Sequence, residues 1–394
     1  MSIIRKFRKV PLVNILIRKY HLRRHEVYDA IRKEYRSIVN DHIMETPLAI
    51  PDDKWGVGEI EINNNCNLNC VMCNTQLSQR PHEKMDTELF ERLILFVKEH
   101  GHFYKTLPLH TIGEPLINPL LEEYFKILRK HKVRIMLSTN AQNLHHKLHL
   151  LCEYADVVDQ IRFSIDGATA QVYEKIRRPG KFDCLIRNLE AFTAMNNKAR
   201  LFRDVMIDSI VSRDTAHQLA YHMQYYAAYV PMDHIRLHLL SGLSPDNTYL
   251  FEQSVLPEYI RKNHPCSQIF DGAIHILNDG RLTACCRDYE GSLVYGKLQS
   301  ASFDEFSSFI NSAKITGLRE MHKADRIPPT HMCADCYNLD RRLTLLFDCF
   351  NRALVWLYRE HWDVEHMQRY FDNFFEAFQD GIPSEEEFLM LLAY

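Results

Sequence analysis

The 394-residue chain is 46% hydrophobic and 25% charged, enough to bury a large core and more than one core usually organises. A main domain of about 200 residues with attachments is therefore expected. The formal charge of −3 excludes a general electrostatic drive towards nucleic acid. No apolar run nears the roughly 20 residues that span a bilayer, and the stretch 11–17 is too short for a secretory core, so a cytoplasmic protein is expected.

The charge is unevenly placed. Residues 1–36 carry eleven Lys/Arg against Glu26, Asp29 and Glu34, a formal +8. Mixed with Ile3, Phe7, Val10 and Leu12, these cations fit peripheral membrane contact, but docking on the acidic C-terminal helices around Glu360, Asp363, Glu365, Asp372, Glu376 and Asp380 is the favoured expectation.

From residue 58 to 240, strand-like and helix-like patterns alternate. Strands are predicted at 59–63, 106–111, 134–138, 160–165, 205–211 and 234–239, and helices at 87–100, 119–131, 147–154, 181–196 and 215–229. Asp86 ahead of Leu89, Leu93 and Val97 marks one helix start. Such βα alternation gives an α/β fold with a parallel sheet, doubly wound or bent into a barrel, and in both the chemistry sits at the carboxyl ends of the strands.

The first cysteines fall at such an end. Cys66, Cys70 and Cys73 follow the first strand in CxxxCxxC spacing, which lets a short loop wrap three thiolates round one cubane cluster and leaves the fourth iron open. Structural zinc wants four protein ligands, and the nearest following histidine, His82, lies nine residues beyond Cys73.

Beyond residue 257 the pattern changes to short strands with turn signals at Asp271-Gly272, Asn278-Asp279-Gly280 and Glu290-Gly291. Cys266, Cys285, Cys333 and Cys336 offer four ligands there, through a GxxxxC turn and a CxxC knuckle. Their spacing suits zinc or a fully ligated iron–sulfur cluster equally. If 285–286 is strand, Cys286 points away from Cys285. Residues 340–380 read as packing helices, with Cys349 among their aromatic residues, and Cys152 and Cys184 as core residues.

The run Cys66-Asn-Leu-Asn-Cys70-Val-Met-Cys73 resembles the radical SAM superfamily, with Met72 where that family usually places an aromatic residue. The resemblance implies a partial (β/α)6 TIM-like barrel. It also implies a 4Fe-4S cluster whose open iron chelates the amino and carboxylate groups of S-adenosyl-L-methionine, and an oxidoreductase or transformase working through a 5′-deoxyadenosyl radical.

Thr111-Ile112-Gly113-Glu114-Pro115-Leu116 resembles the family's GGE motif and implies that Gly113 and Glu114 receive the methionine ammonium; read alone, it is a turn. Ser138, Asn140, Ser164 and Asp166 stand at strand ends where the family binds ribose or carboxylate, though such residues also cap helices. Arg177, rather than Arg178, matches the arginine that meets the carboxylate.

The second cysteine set is similar to SPASM and twitch extensions. That likeness implies one auxiliary 4Fe-4S cluster on Cys266, Cys285, Cys333 and Cys336 in a small α+β domain with flanking helices. Asp288 is then a candidate catalytic base, or a cap for the turn at Glu290-Gly291. The expected divisions are a basic helical extension at 1–50, the barrel at 51–245, the SPASM/twitch-like domain at 246–345 and a helical extension at 346–394. The resemblance implies a peptide or a small polyol or sugar substrate, and an electron donor such as flavodoxin or ferredoxin. A zinc-stabilised scaffold is the competing reading.

Overall fold

The computed structural model describes residues 26–40, 48–242, 248–262 and 265–393, so most of the basic N-terminal stretch lies outside the described residues. The chain runs through α1 (26–39), β1 (Gly56–Ile60), α2 (Thr87–His100), β2 (Leu107–Pro108), α3 (Leu121–His131), β3 (Ile135–Thr139), α4 (Leu144–Glu153) and β4 (Val158–Ser164). It continues with α5 (Ala170–Ile176), α6 (Phe182–Ala199), β5 (Asp204–Val211), α7 (Arg213–Ala216), α8 (Leu219–Tyr226) and β6 (Ile235–Leu239).

Strands β2 to β6 form one five-stranded parallel sheet in sequential order. This is the curled α/β half-barrel expected of a partial TIM-like fold. Its helix-facing side is apolar, as in Leu137, Ile161, Phe163, Ile207 and Leu237, which are buried almost completely. Its other face breaks with ordinary barrels, whose interiors pack branched aliphatic residues. Gln160, Arg162 and Ser164 alternate with those buried residues on β4, and Asp208 pairs bidentately with Arg236 across β5 and β6 at 2.7 and 2.9 Å.

Two predicted strands differ instructively. β2 is only two residues long, because Pro108 has no N–H to donate to the ladder. β1 starts at Gly56 and stands beside β2, yet takes its hydrogen bonds from β8 (Ala273–Ile276), in parallel, with Gly56 opposite Ala273 and Ile60 opposite Ile276. Periodicity cannot announce a partner more than 200 residues away.

After α9 (Thr248–Gln253) and β7 (Ile260–Lys262), β8 continues antiparallel into β9 (Arg281–Thr283) and β10 (Val294–Lys297). α10 (Phe303–Ile310) and α11 (Ala313–Lys323) follow, and β11 (Tyr337–Leu339) returns to β7. α12 (Arg341–Tyr358), α13 (Val364–Ala377) and α14 (Glu385–Met390) close the chain around a stack of Phe347, Phe350, Phe371, Phe374 and Phe378.

α1 packs on these last helices. Tyr35 Oη donates to Pro383 O at 2.5 Å, Arg36 pairs with Glu385, and Glu34 pairs with Arg352. The described part of the N-terminal stretch therefore meets the C-terminal helices, through Glu385 rather than the acidic residues expected from the sequence. No helix among the described residues is long and apolar enough to cross a membrane.

Candidate functional site

The loop after β1 is fixed from both sides. Beneath it, Glu61 is fully buried in an ion pair with Arg80, and the Asn278 amide N–H donates to Glu61 Oε1 at 3.2 Å, tying the loop to the β8–β9 hairpin. Above it, Asn69 N donates to Arg178 O at 2.5 Å and Val71 N to Ile176 O at 3.0 Å. The cysteine loop is thus stitched to the turn that ends α5.

Cys66, Cys70 and Cys73 line one cleft of about 450 Å3, together with Gly113, Glu114, Ser138, Asn140, Ser164 and Arg177. Nine positions read separately from the sequence thus converge. Burial pushes the Cys66 thiol up to about 12, and the Glu114 carboxylate nearby adds to the shift. Burial likewise raises Cys70 to about 11, against the opposing pull of Arg177. Thiols so costly to ionise alone suit a cationic centre that takes up their charge.

Glu114 is buried, and its carboxylate accepts from Thr139 Oγ1 (2.7 Å), Asn140 N (2.8 Å) and Leu116 N (3.0 Å). It fastens the end of β3 and keeps about one of its four acceptor positions. Gly113 has φ +92°, and a Cβ there would stand 2.4 Å from Asn63 O, so only glycine fits between the two loops.

Ser138 and Ser164 share a 3.3 Å contact on neighbouring strands. Asn140 Nδ2 donates to Asn67 Oδ1 at 2.9 Å. Asp166 is not among the cleft-lining residues: it accepts from Arg177 Nε at 2.6 Å and from Ile210 N at 2.6 Å, and so positions the arginine. Arg178 is exposed and donates to Lys175 O, which separates the two arginines as the sequence reading did.

Asp288 stays outside the cleft. Buried, it accepts from Thr283 Oγ1 (2.5 Å), Ser292 N (2.7 Å) and Leu293 N (2.8 Å). These are the bonds of a turn brace. Cys286 shows the reverse. β9 ends at Thr283, so 285–286 is turn and strand alternation does not apply; Cys286 lines the cleft, and both sulfurs contact Gln268 Oε1 at 3.3 Å.

Cys266, Cys285, Cys333 and Cys336 lie near one another: burial raises the Cys266 and Cys333 thiols with the charge of Cys336 adding to each, and the Cys286 contact, ahead of burial, raises Cys285 with Cys266 adding. No disulfide involves any of them. Among the described residues no three of His, Cys, Asp and Glu converge on a point as one metal ion requires. A cubane spreads its ligands over several irons, and three thiolates on one loop or four from a second set are donors of the kind that such a cluster takes.

Sequence reasoning missed further lining residues of the cleft, among them Glu59, His110, Thr111, Gln268 and Arg287. The buried His275 Nδ1 pairs with Glu59 at 3.1 Å, while His275 Nε2 and His110 Nδ1 have no protein partner among the described residues. A carboxylate on the first strand was the available signal. It gained meaning only once β8 brought His275 alongside.

A family model for the radical SAM superfamily matches residues 60–209, the stretch that supplies the cysteine loop and strands β2 to β5. This stretch is a radical SAM domain. Mycofactocin maturase MftC of Mycobacterium ulcerans (strain Agy99) is 27% identical over 179 residues, covering 45% of this chain and 44% of that protein. A probable GTP 3′,8-cyclase of Pyrococcus abyssi (strain GE5 / Orsay) is 27% identical over 154 residues, covering 39% and 47%. The matches thus span less than half the length of these curated relatives. Among solved structures, native anSMEcpe with bound AdoMet shares the fold, with a TM-score of 0.51 and 15% identity, over 76% of this chain and 97% of that one.

Proposed function

We propose that the chain is a radical SAM enzyme that reductively cleaves S-adenosylmethionine at a 4Fe-4S cluster on Cys66, Cys70 and Cys73 and abstracts hydrogen from a peptide substrate. The observation that carries this reading is the meeting of those three thiols with Gly113, Glu114, Asn140, Ser138, Ser164 and Arg177 in one cleft. The cluster would supply the low-potential electron that turns the sulfonium into a 5′-deoxyadenosyl radical. The protein's part is to hold and orient. Gly113 opens space beside Asn63 and Asn65, Glu114 keeps an acceptor for the methionine ammonium, Arg177 offers a guanidinium to the carboxylate, and Ser138 and Ser164 face the ribose.

A second 4Fe-4S cluster on Cys266, Cys285, Cys333 and Cys336 would accept the substrate's electron, and a small flavodoxin- or ferredoxin-like protein would supply the first. The name of the maturase relatives favours a peptide, whereas a second set of four cysteines rather than the seven of full SPASM domains favours a small polyol or sugar. The proposed divisions remain an extension at 1–50, the barrel at 51–245, the cluster domain at 246–345 and a helical extension at 346–394.

Anaerobic purification tests the reading. A brown protein with about eight irons per chain supports two cubanes, and a colourless one with two zincs sinks the proposal. Dithionite and S-adenosylmethionine should then release 5′-deoxyadenosine from the wild type. Cys70→Ala should abolish that release and keep the iron of the second site.

A further inference from the structure

Two of the three thiols of the loop meet different donor side chains. Thr75 Oγ1 lies 3.1 Å from Cys73 Sγ. Asn140 Nδ2 lies 3.8 Å from Cys66 Sγ, which also accepts from Leu68 N at 3.4 Å. Arg177, held by Asp166 at 2.6 Å, places a buried positive charge near Cys70. The two donors come from the turn after the cysteines and from the end of β3.

Between two neutral groups the direction of the Thr75–Cys73 bond is open. A sulfur that ligates iron carries no proton and can only accept, so there the Thr75 hydroxyl must donate. Hydrogen bonds to cluster sulfurs favour the reduced state, because its extra negative charge resides partly on sulfur.

We propose that Thr75 and Asn140 form a donor pair that stabilises the reduced state of the cluster on Cys66, Cys70 and Cys73, with Thr75 serving Cys73. This rests on the radical SAM reading above. Asn140 also braces Asn67 and Gln142, so substituting it disturbs more than one bond. Thr75 is buried, and Cys73 is the partner of its hydroxyl. It is a positioning residue that acts through sulfur.

The test is a redox titration of the reconstituted holoenzyme followed by electron paramagnetic resonance, tracking the signal that changes when S-adenosylmethionine is added. Thr75→Val should move that midpoint to more negative potential at wild-type iron content, and Thr75→Ser should restore it. An unmoved midpoint in Thr75→Val with full iron overturns the inference. Should Thr75→Val fail to load iron, Thr75→Ala takes its place, with the same expected direction; loss of iron in both overturns tuning in favour of a purely structural role. A wild type without any signal that responds to S-adenosylmethionine overturns the underlying radical SAM reading, an outcome distinct from an unmoved midpoint.

Discussion

Asp166 grips Arg177 from beneath the cleft, Nε to Oδ2 at 2.6 Å, and the charge of the gripped guanidinium opposes the upward shift that burial gives the Cys70 thiol. Both side chains are nearly inaccessible, Arg177 at 11% and Asp166 at 1% exposure, so removing one leaves the other charged in a poorly solvated place. Asp166→Asn should cost about 3–5 kcal/mol of stability, measured by denaturant unfolding. The double variant Asp166→Asn/Arg177→Met should recover part of that loss. Equal loss in the single and double variants would mean that the pair is not the cause.

Glu114 makes a related case without a cation at contact distance. Burial pushes its carboxyl pKa up, against the bonds from Asn140 N, Thr139 and Leu116 N. Glu114→Gln places an amide N–H against donors that need an acceptor. The expected loss is about 1–3 kcal/mol, together with faster release of iron from the first cluster. A thermal melt and an iron assay on one preparation check both.

Gly113→Ala probes the close approach directly. The new Cβ would meet Asn63 O at 2.4 Å with φ at +92°, so the two loops must part and the residue is strained by about 1–3 kcal/mol. Affinity for S-adenosylmethionine, read by calorimetry, should fall even where the cluster is retained.

What the sequence revealed and what it hid divide along a physical line. Local spacing was sufficient for the cysteine loop, for α2 with its Asp86 cap and for the strand ends of β3 and β4, because each depends on neighbours within a few residues. Asp166 and Arg177 could each be singled out in the sequence, but not as partners of each other. The roles of Asp288 and Cys286 depend on where β9 stops and how the following turn folds. Glu59 and His275, 216 residues apart, meet only because β1 leaves its expected place and pairs with β8.

That last pair gives a pH dependence with a definite sign. Burial alone would lower the His275 pKa, but the hydrogen bond to Glu59 and the neighbouring negative charges lift it to about 9, and Glu59 is held below its usual range by the same contact. A histidine whose folded pKa lies above its unfolded value of about 6.5 stabilises the fold fully below that value and loses the contribution as pH rises through about 9. The shift corresponds to about 3 kcal/mol as an upper figure, counted once for the pair. Unfolding free energy should therefore decline between pH 6.5 and 9.5 in the wild type and change less in His275→Gln. Identical slopes in the two proteins would place the charge elsewhere and leave the cleft lining at Glu59 and His110 without its cation.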